Sequence, residues 1–283
     1  MKNKKFLFIL ALLLLFHMSI PSSDYIWSLE QIEKSTAELY ACHDRVFAGD
    51  FIESRSKVDF NYHSNYQKER QLLQDRVIHK FLKFGKSVDS PKIIFTAGVM
   101  GVGKGHILKK MDRTNLINLQ EYLWIDVDQL KDELPEMKLY INFDSKTAGT
   151  KVHKESGFIQ EIILSEALKQ NKNIIVDGSL TSLIRHKMLF ESIRRDYPHY
   201  KIEIIYIIAN MEKIQERIQK RGEATGRFVP IEKVEEAYHQ IPKTIKALTP
   251  LASKVVIIDN NKDEDISNSS IYEPLLFLLQ TRR

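Results

Sequence analysis

The segment Pro91–Met111 constrains the fold of this chain more than any other part of its sequence. An apolar run leads into a glycine-rich turn, and residues compatible with a helix follow. Gly98, Gly103 and Lys104 have the spacing of the motif G-x-x-x-x-G-K, in which backbone N–H groups and a lysine surround phosphate oxygens. The order of strand, loop and helix favours a phosphate-binding loop over a plain glycine-rich turn. The predicted nucleotide-binding residues of this loop are Gly98, Val99, Met100, Gly101, Val102, Gly103, Lys104, Gly105 and His106.

The residue after the lysine departs from the motif. A serine or threonine that ligates magnesium normally stands there, whereas this chain has Gly105. Any Mg²⁺ would therefore depend mostly on carboxylates and phosphate oxygens. Asp126 and Asp177, each at the end of an apolar run, are the predicted metal ligands.

Short apolar runs alternate with amphipathic segments along most of the chain. This alternation predicts an α/β fold, a three-layer sandwich with a five-stranded, mostly parallel sheet covered on both faces. Functional residues are then expected at the carboxyl edge of the sheet. The predicted strands are Lys92–Ala97, Tyr122–Val127, Asn173–Asp177, Ile202–Ala209 and Lys254–Asp259. The predicted helices are Val152–Gln170, Ser182–Asp196, Glu212–Arg221, Ile231–Lys246 and a last one over Ile271–Leu279.

Three regions are predicted: a targeting segment over 1–23, a helical N-terminal extension over 24–88 and the α/β domain over 89–283. The best helix of the extension covers Tyr66–Phe84, and its charged residues are expected to form a solvated face. The chain has a net charge of +5, and the three lysines of the first region account for all but +2 of it. This weak charge gives no reason to expect nucleic acid as a partner.

The first region has the layout of a secretory signal. A basic flank at Lys2–Lys5 precedes the unbroken apolar run Phe6–Phe16, which is short for a membrane span of ~20 residues. We expect a chain that is secreted or lies in the lumen of the secretory pathway. If the signal is not cleaved, residues 6–20 would anchor it, and this would be its sole membrane contact.

Side chains near the predicted carboxyl edge supply candidates for chemistry. Asp128 follows Asp126 by two residues, which puts both on one side of an extended chain, and it is a candidate general base. Capping of a helix by Asp128 is the alternative. Arg217, Arg221 and Arg227 surround a glycine-containing turn and suit a lid that closes over phosphates.

Together these residues resemble the zeta-toxin-like P-loop kinases, particularly the larger forms outside toxin–antitoxin systems. The matching blocks lie within residues 91–260: FTAGVMGVGKGH, DVDQLKDELPEM, TAGTKVHKESGFIQEIILSEAL, NIIVDGSL and RGEATGRFVP. The resemblance implies a P-loop kinase sheet that uses ATP and Mg²⁺. Its bacterial members phosphorylate a hydroxyl of UDP-N-acetylglucosamine.

The resemblance also implies residue roles. Lys104 would hold the transferring phosphate, Asp128 would be the base, and Arg227 would be the second lid arginine, with Arg217 or Arg221 as the first. On the acceptor side, the predicted contacts are Glu155, Glu161, Asp177 and Ser179. The bacterial toxins have a substrate-binding arginine after their Glu-Gly-Thr segment, where this chain has Leu180 and Thr181. The resemblance therefore does not imply the same sugar nucleotide as the acceptor.

The sequence thus predicts an ATP-dependent kinase that acts on a hydroxyl of a small molecule, with a UDP-sugar as one candidate. One alternative is a kinase for nucleotides or nucleic-acid 5′-hydroxyls. Another is a nucleotide-binding protein without catalysis, prompted by Gly105. No antitoxin partner is identifiable from the chain.

Overall fold

A computed structural model describes residues 27–225, 229–261 and 271–272. The chain divides into two compact units, residues 1–34 and 35–283. In the first unit, helix α1 (Leu29–Glu33) begins at Ser28, whose side chain accepts a hydrogen bond from the Gln31 backbone in a capping box. The predicted signal segment lies outside the described residues. Residues 35–88 of the predicted extension belong to the same compact unit as the sheet.

A six-stranded sheet forms the centre of the second unit. Its strands are β3 (Lys92–Ala97), β4 (Leu123–Asp126), β5 (Ile174–Asp177), β6 (Lys201–Ile208), β7 (Lys254–Asp259) and β8 (Ile271–Tyr272), and β1 (Ala41–Cys42) pairs separately with β2 (Asn65–Tyr66). The spatial order is β4-β5-β3-β6-β7-β8. The first five of these are parallel, and β8 runs antiparallel to β7. The prediction of a five-stranded parallel sheet is confirmed.

Helices surround this sheet. They are α2 (Thr36–Tyr40), α3 (Ile52–Ser56), α4 (Lys68–Leu82), α5 (Lys104–Arg113), α6 (Val127–Asp132), α7 (Glu136–Lys151), α8 (His153–Lys169), α9 (Leu183–Asp196), α10 (Met211–Thr225) and α11 (Ile231–Leu248). Residues such as Ile93, Phe95, Phe158 and Phe190 form the buried core between the layers. Among the described helices, none combines the length and the apolar character needed to cross a bilayer.

The end of the chain differs from its prediction. Ile271 and Tyr272 are strand residues that pair with Ile258 and Ile257 instead of beginning a helix. The backbone of β7 forms hydrogen bonds with these two residues. The helical periodicity of the sequence does not indicate this pairing. The rest of the predicted helix, residues 273–279, lies outside the described residues.

Helix α4 shows a second difference. Val77, Ile78 and Phe81 are buried, but the same side of the helix also buries polar residues that were expected in solvent. Arg70 and Asp75 are both 5% exposed. Each is paired, because buried charges need a partner: Asp75 accepts a 2.6 Å bond from Arg55, and Arg70 contacts Glu136 and Glu155. The prediction of a solvated charged face is therefore wrong for Arg70 and Asp75, whereas Lys68, Glu69, Arg76 and Lys80 are exposed as expected.

Candidate active site at the carboxyl edge of the sheet

The glycine-rich loop connects β3 to α5, as the motif predicts. Gly103 has φ 94°, a left-handed conformation that favours glycine, and a Cβ there would lie 2.6 Å from Asn260 Nδ2. Gly98 is equally restricted, because a Cβ would lie 2.7 Å from the carbonyl oxygen of Ile207. Helix α5 begins directly after the loop, so its first N–H groups point toward any anion held there.

Lys104 lies in the first turn of α5 and folds back over the loop. Its Nζ donates a hydrogen bond of 3.1 Å to the carbonyl oxygen of Gly98. Burial lowers the pKa of this amine, and the negative charges of Asp177, Asp128 and Asp126 act in the opposite direction. The amine therefore lies within electrostatic reach of the three acidic residues that the sequence singled out.

Asp126 and Asp177 end neighbouring parallel strands and are paired in register. Asp177 accepts a 2.7 Å bond from Thr96 Oγ1. Burial raises the pKa of Asp126, and the charges of Asp177 and Asp128 raise it further. A carboxylate whose pKa is raised by neighbouring negative charges is a suitable ligand for a cation. Within the described residues, no group of three His, Cys, Asp or Glu side chains could hold a metal by itself.

Gly105 is not required by packing. A Cβ at this position would make an ordinary contact of 3.8 Å with the Trp124 ring, and Gly105 is not among the glycines with positive φ. A small side chain therefore fits at this position. The packing around Gly105 therefore does not explain why the side-chain hydroxyl of the motif is absent here.

Asp128 is arranged differently from the prediction. Helix α6 begins at Val127, so Asp126 and Asp128 do not alternate along one extended strand. Asp126 caps the helix by accepting a 2.8 Å bond from the backbone N–H of Asp128. The capping role considered for Asp128 therefore belongs to Asp126, because a strand that ends at Asp126 makes that residue the N-cap.

The carboxylate of Asp128 instead pairs with two cations. Its oxygens lie 3.0 Å from Lys131 Nζ and 3.2 Å from Arg221 Nη2. Burial acts to raise the pKa of Asp128, but Lys131 and Arg221 outweigh it and the pKa is lowered. The side chain is thus an anion at neutral pH, able to accept a hydrogen bond from a hydroxyl.

The three arginines have different positions. Arg221 contacts Asp128, whereas Arg217 donates to the carbonyl oxygens of Val102 at 3.3 Å and Asn260 at 2.9 Å. Arg217 therefore fastens the loop to the end of β7. Arg227 lies outside the described residues, and its lid role stays a prediction.

The segment after β5 borders the loop. The carbonyl oxygen of Ser179 accepts a 3.3 Å hydrogen bond from the Gly98 N–H, and its hydroxyl lies 3.2 Å from Thr181 Oγ1. Leu180 has φ 54°, which turns the chain toward α9. Ser179 is thus adjacent to the predicted phosphate site.

Glu155 does not face the candidate active site. It is fully buried, and its two oxygens accept bonds of 2.6 and 2.8 Å from Arg70. Gln74 donates a third bond of 2.8 Å. The prediction that Glu155 contacts substrate was wrong, because α4 of the extension covers this side chain. Glu161, one and a half turns further along α8, remains 29% exposed.

We expect Glu155→Ala to destabilise the fold without changing nucleotide binding. The change leaves Arg70 with a buried charge that only Glu136 offsets, and such a loss costs about 3–5 kcal/mol. Chemical denaturation should detect a lower unfolding midpoint, with exposed Glu191→Ala on α9 as the matched control. A stable variant that had lost acceptor affinity would contradict this assignment.

A mostly apolar cavity of about 340 Å³ lies beside the loop, on the side opposite to Asp126, Asp128 and Asp177. Its polar lining residues are Asn210, Asp259 and Asn261. Its apolar lining includes Val99, Val102, Tyr206, Ala209, Tyr238 and Pro242. Its size and lining suit a flat ring system bearing a few hydrogen-bonding groups.

Sequence reasoning missed several of the residues found here. Arg185 and His63 carry no motif, and only the structure brings them to Glu161. Lys131 lies in the block DVDQLKDELPEM and follows Asp128 by three residues, but the sequence analysis gave it no role.

The family model described as zeta toxin matches residues 75–271. The chain belongs to the zeta-toxin family. No curated protein matches the sequence at a significant level. The resemblance seen in the sequence motifs is therefore confirmed at the level of the family, and the described fold agrees with it.

Solved structures share this zeta-toxin-like kinase fold at low sequence identity. One belongs to the PezAT chromosomal toxin–antitoxin system of Streptococcus pneumoniae, with a TM-score of 0.58 and 15% identity over 69% of this chain and 80% of that one. Another is the AvrRxo1-ORF1:-ORF2 complex with ATP, with a TM-score of 0.59 and 16% identity over 88% of this chain and 81% of that one. At these identities the likeness shows the fold alone.

Proposed function

We propose that this protein is an ATP-dependent kinase that transfers the γ-phosphoryl group to a hydroxyl of a small molecule. One observation carries the proposal: the loop with Lys104 follows β3 and Asp128 follows β4, so both lie at the carboxyl edge of the sheet with only β5 between the two strands. One group suits the transferring phosphate and the other suits the hydroxyl that attacks it. The related fold crystallised with ATP supports this choice of nucleotide.

In this mechanism the chain's residues act mainly by position and charge. The loop N–H groups and Lys104 hold the phosphates, and Arg221 balances charge as the transferring group departs. Asp128 orients the acceptor hydroxyl and receives its proton late. A carboxylate with a lowered pKa is a weak base, which suits a loose transition state in which orientation matters more than early proton removal.

Arg221 Nη2 lies 3.2 Å from the carboxylate of Asp128. Nucleotide binding would therefore draw the guanidinium from the carboxylate toward the more highly charged phosphates, which bind arginine bidentately. This exchange frees Asp128 for the hydroxyl. Arg227 is proposed to join Arg221 in this role.

Magnesium fits the donors present. Asp126 and Asp177 would hold it together with phosphate oxygens and water, since Gly105 supplies no hydroxyl. When bound, the ion would neutralise charge on the phosphates. The cavity beside the loop would take the adenine ring.

Two other functions are weaker candidates. A nucleic-acid 5′-hydroxyl kinase needs a positively charged track, and the net charge of +2 without the first region does not favour one. A nucleotide-binding protein without catalysis would not need the carboxylate of Asp128, which is ionised and lies near the loop lysine.

A phosphate-transfer screen of the full chain tests the proposal. We expect radiolabelled γ-phosphate from ATP to appear on at least one acceptor among UDP-N-acetylglucosamine, UDP, uridine and adenosine. A UDP-sugar is the acceptor we propose, following the family resemblance. Label on the other acceptors alone would contradict that choice, and a chain that binds ATP but labels none of the panel would contradict the kinase.

We further propose that residues 1–23 direct the chain across a membrane, with the basic flank at Lys2–Lys5 remaining cytoplasmic. The working compartment would then be a lumen with imported ATP or a recipient cell. Protease treatment of isolated membranes should leave the C-terminal residues intact until detergent is added. A C-terminal domain found free in the cytosol with residues 1–23 attached would contradict this location.

A further inference from the structure

A tight turn in the N-terminal extension lies beside α8. The backbone N–H groups of Tyr62 and His63 donate to the carbonyl oxygen of Asp59 at 3.1 and 2.8 Å. The Asn61 N–H adds a 2.9 Å bond to the Asp59 side chain. The turn is thus held by its own hydrogen bonds and presents two neighbouring aromatic rings.

His63 enters the body of the unit beside α8. Its side chain is fully buried, and its ring lies edge-on against Phe158 with 5.5 Å between the ring centroids. Nε2 lies 3.1 Å from Glu161 Oε1, although neither ring nitrogen makes a well-formed hydrogen bond. The buried imidazole packs at the carboxylate of Glu161 and restricts where that side chain can lie.

Glu161 also bonds to Arg185, which lies in the first turn of α9. The Arg185 guanidinium carbon lies 5.3 Å from the centre of the Tyr62 ring. Four side chains from three separate segments therefore meet: Tyr62 and His63 from the extension, Glu161 from α8 and Arg185 from α9.

Helix α8 connects this cluster to the surroundings of Asp128. Helix α6, which carries Asp128, packs against α8. His153 is the first residue of α8, and Glu161 lies on the same helix about 12 Å further along at 1.5 Å per residue. Burial lowers the pKa of His153, and the charges of Arg185 and Asp128 both act on it. An acceptor with its hydroxyl at Asp128 would reach the cluster by extending along α8.

The outer part of the cluster is open. Tyr62 is 45% exposed and the Arg185 side chain 48% exposed, whereas Glu161 and His63 lie behind them. An aromatic face beside a guanidinium binds flat rings and anionic groups. We propose that Tyr62 and Arg185 contact the part of the acceptor remote from the reacting hydroxyl, and that His63 positions Glu161 beside them.

This inference rests on the proposed kinase function and adds a structural basis for the choice of acceptor. The family model begins at residue 75, so Tyr62 and His63 lie outside the matched region. Acceptor choice in this chain would then depend on residues that the family's motifs do not contain. The nucleotide side, built from the loop and α10, would be unaffected.

The first test uses Tyr62 and whichever compound of the panel accepts label. We expect Tyr62→Ala to raise the acceptor KM about tenfold, the loss typical of one aromatic stacking contact, with the KM for ATP unchanged. Tyr62→Phe keeps the ring and should behave like wild type. Phe84→Ala, which removes another exposed aromatic at the end of α4, is the matched control.

A second test separates positioning by His63 from packing. His63→Leu keeps the bulk and removes the nitrogens, so it should raise the acceptor KM without changing the KM for ATP. His63→Gln restores a donor near Glu161 and should recover most of the loss. If both variants lowered stability equally and left the acceptor KM at the wild-type value, His63 would be structural only.

The two proposals fail in different ways. If no compound of the panel accepts phosphate, both the kinase function and the acceptor site are contradicted. If wild type phosphorylates an acceptor and Tyr62→Ala does so with an unchanged KM, only the acceptor site is overturned.

Discussion

Replacing Lys104 by alanine is expected to reduce phosphoryl transfer by at least about 10³-fold, the scale of losing a cation that stabilises the transferring group. Within the part of the chain that the structure describes, the Lys104 side chain bonds to two carbonyl oxygens of the loop, at 3.1 Å for Gly98 and 3.5 Å for Val99. Hydrogen bonds from a charged group add about 1.5–3 kcal/mol to stability, and the burial of the Lys104 amine offsets part of this gain. The fold should therefore survive the change that removes activity.

Single-turnover assays with saturating ATP and a thermal unfolding curve measure both effects. Lys109→Ala is the matched control, since it removes an exposed lysine from the same helix. A Lys104→Ala variant with near wild-type turnover would show that the loop does not hold the transferring phosphate.

Asp128→Asn is expected to lower kcat by at least about 10²-fold, in line with the loss of a general base. Asparagine keeps the size of the side chain and loses the charge that pairs with Lys131 and Arg221. Those pairs are close to half exposed on the Asp128 and Arg221 sides, so their loss changes stability by about 1 kcal/mol or less. Affinity for ATP should be preserved, or should rise slightly as Arg221 is released.

The pH dependence of this loss gives a second check. The pKa of Asp128 lies below its ordinary value, so the wild-type carboxylate is already ionised throughout the range of about pH 6 to 8. The ratio of wild-type to variant kcat should therefore stay constant across that range. Asp132→Asn, on the same helix, is the control. A large fall in stability with full turnover would assign Asp128 a structural role instead.

The sequence by itself determined the parallel sheet and the phosphate loop. Both depend on local patterns: apolar runs of strand length alternating with helical periodicity, and glycines at positions where the backbone must turn. Strands β3 and β7 have the same bounds as predicted, and Gly98, Gly103 and Lys104 lie where the motif implies. Such patterns span a few residues, so a single sequence is enough to reveal them.

Only the tertiary structure decided what the charged side chains do. Arg70 meets Glu155 across 85 residues of chain, and Arg221 meets Asp128 across 93. Nothing in the local sequence distinguishes a glutamate bonded to a buried arginine from one that faces a cleft. The same holds for His63 and Tyr62, whose position beside Glu161 depends on how the extension packs on α8. Pairing of charges across distant segments follows from burial in the folded chain, and burial of this kind leaves no periodic signal in the sequence.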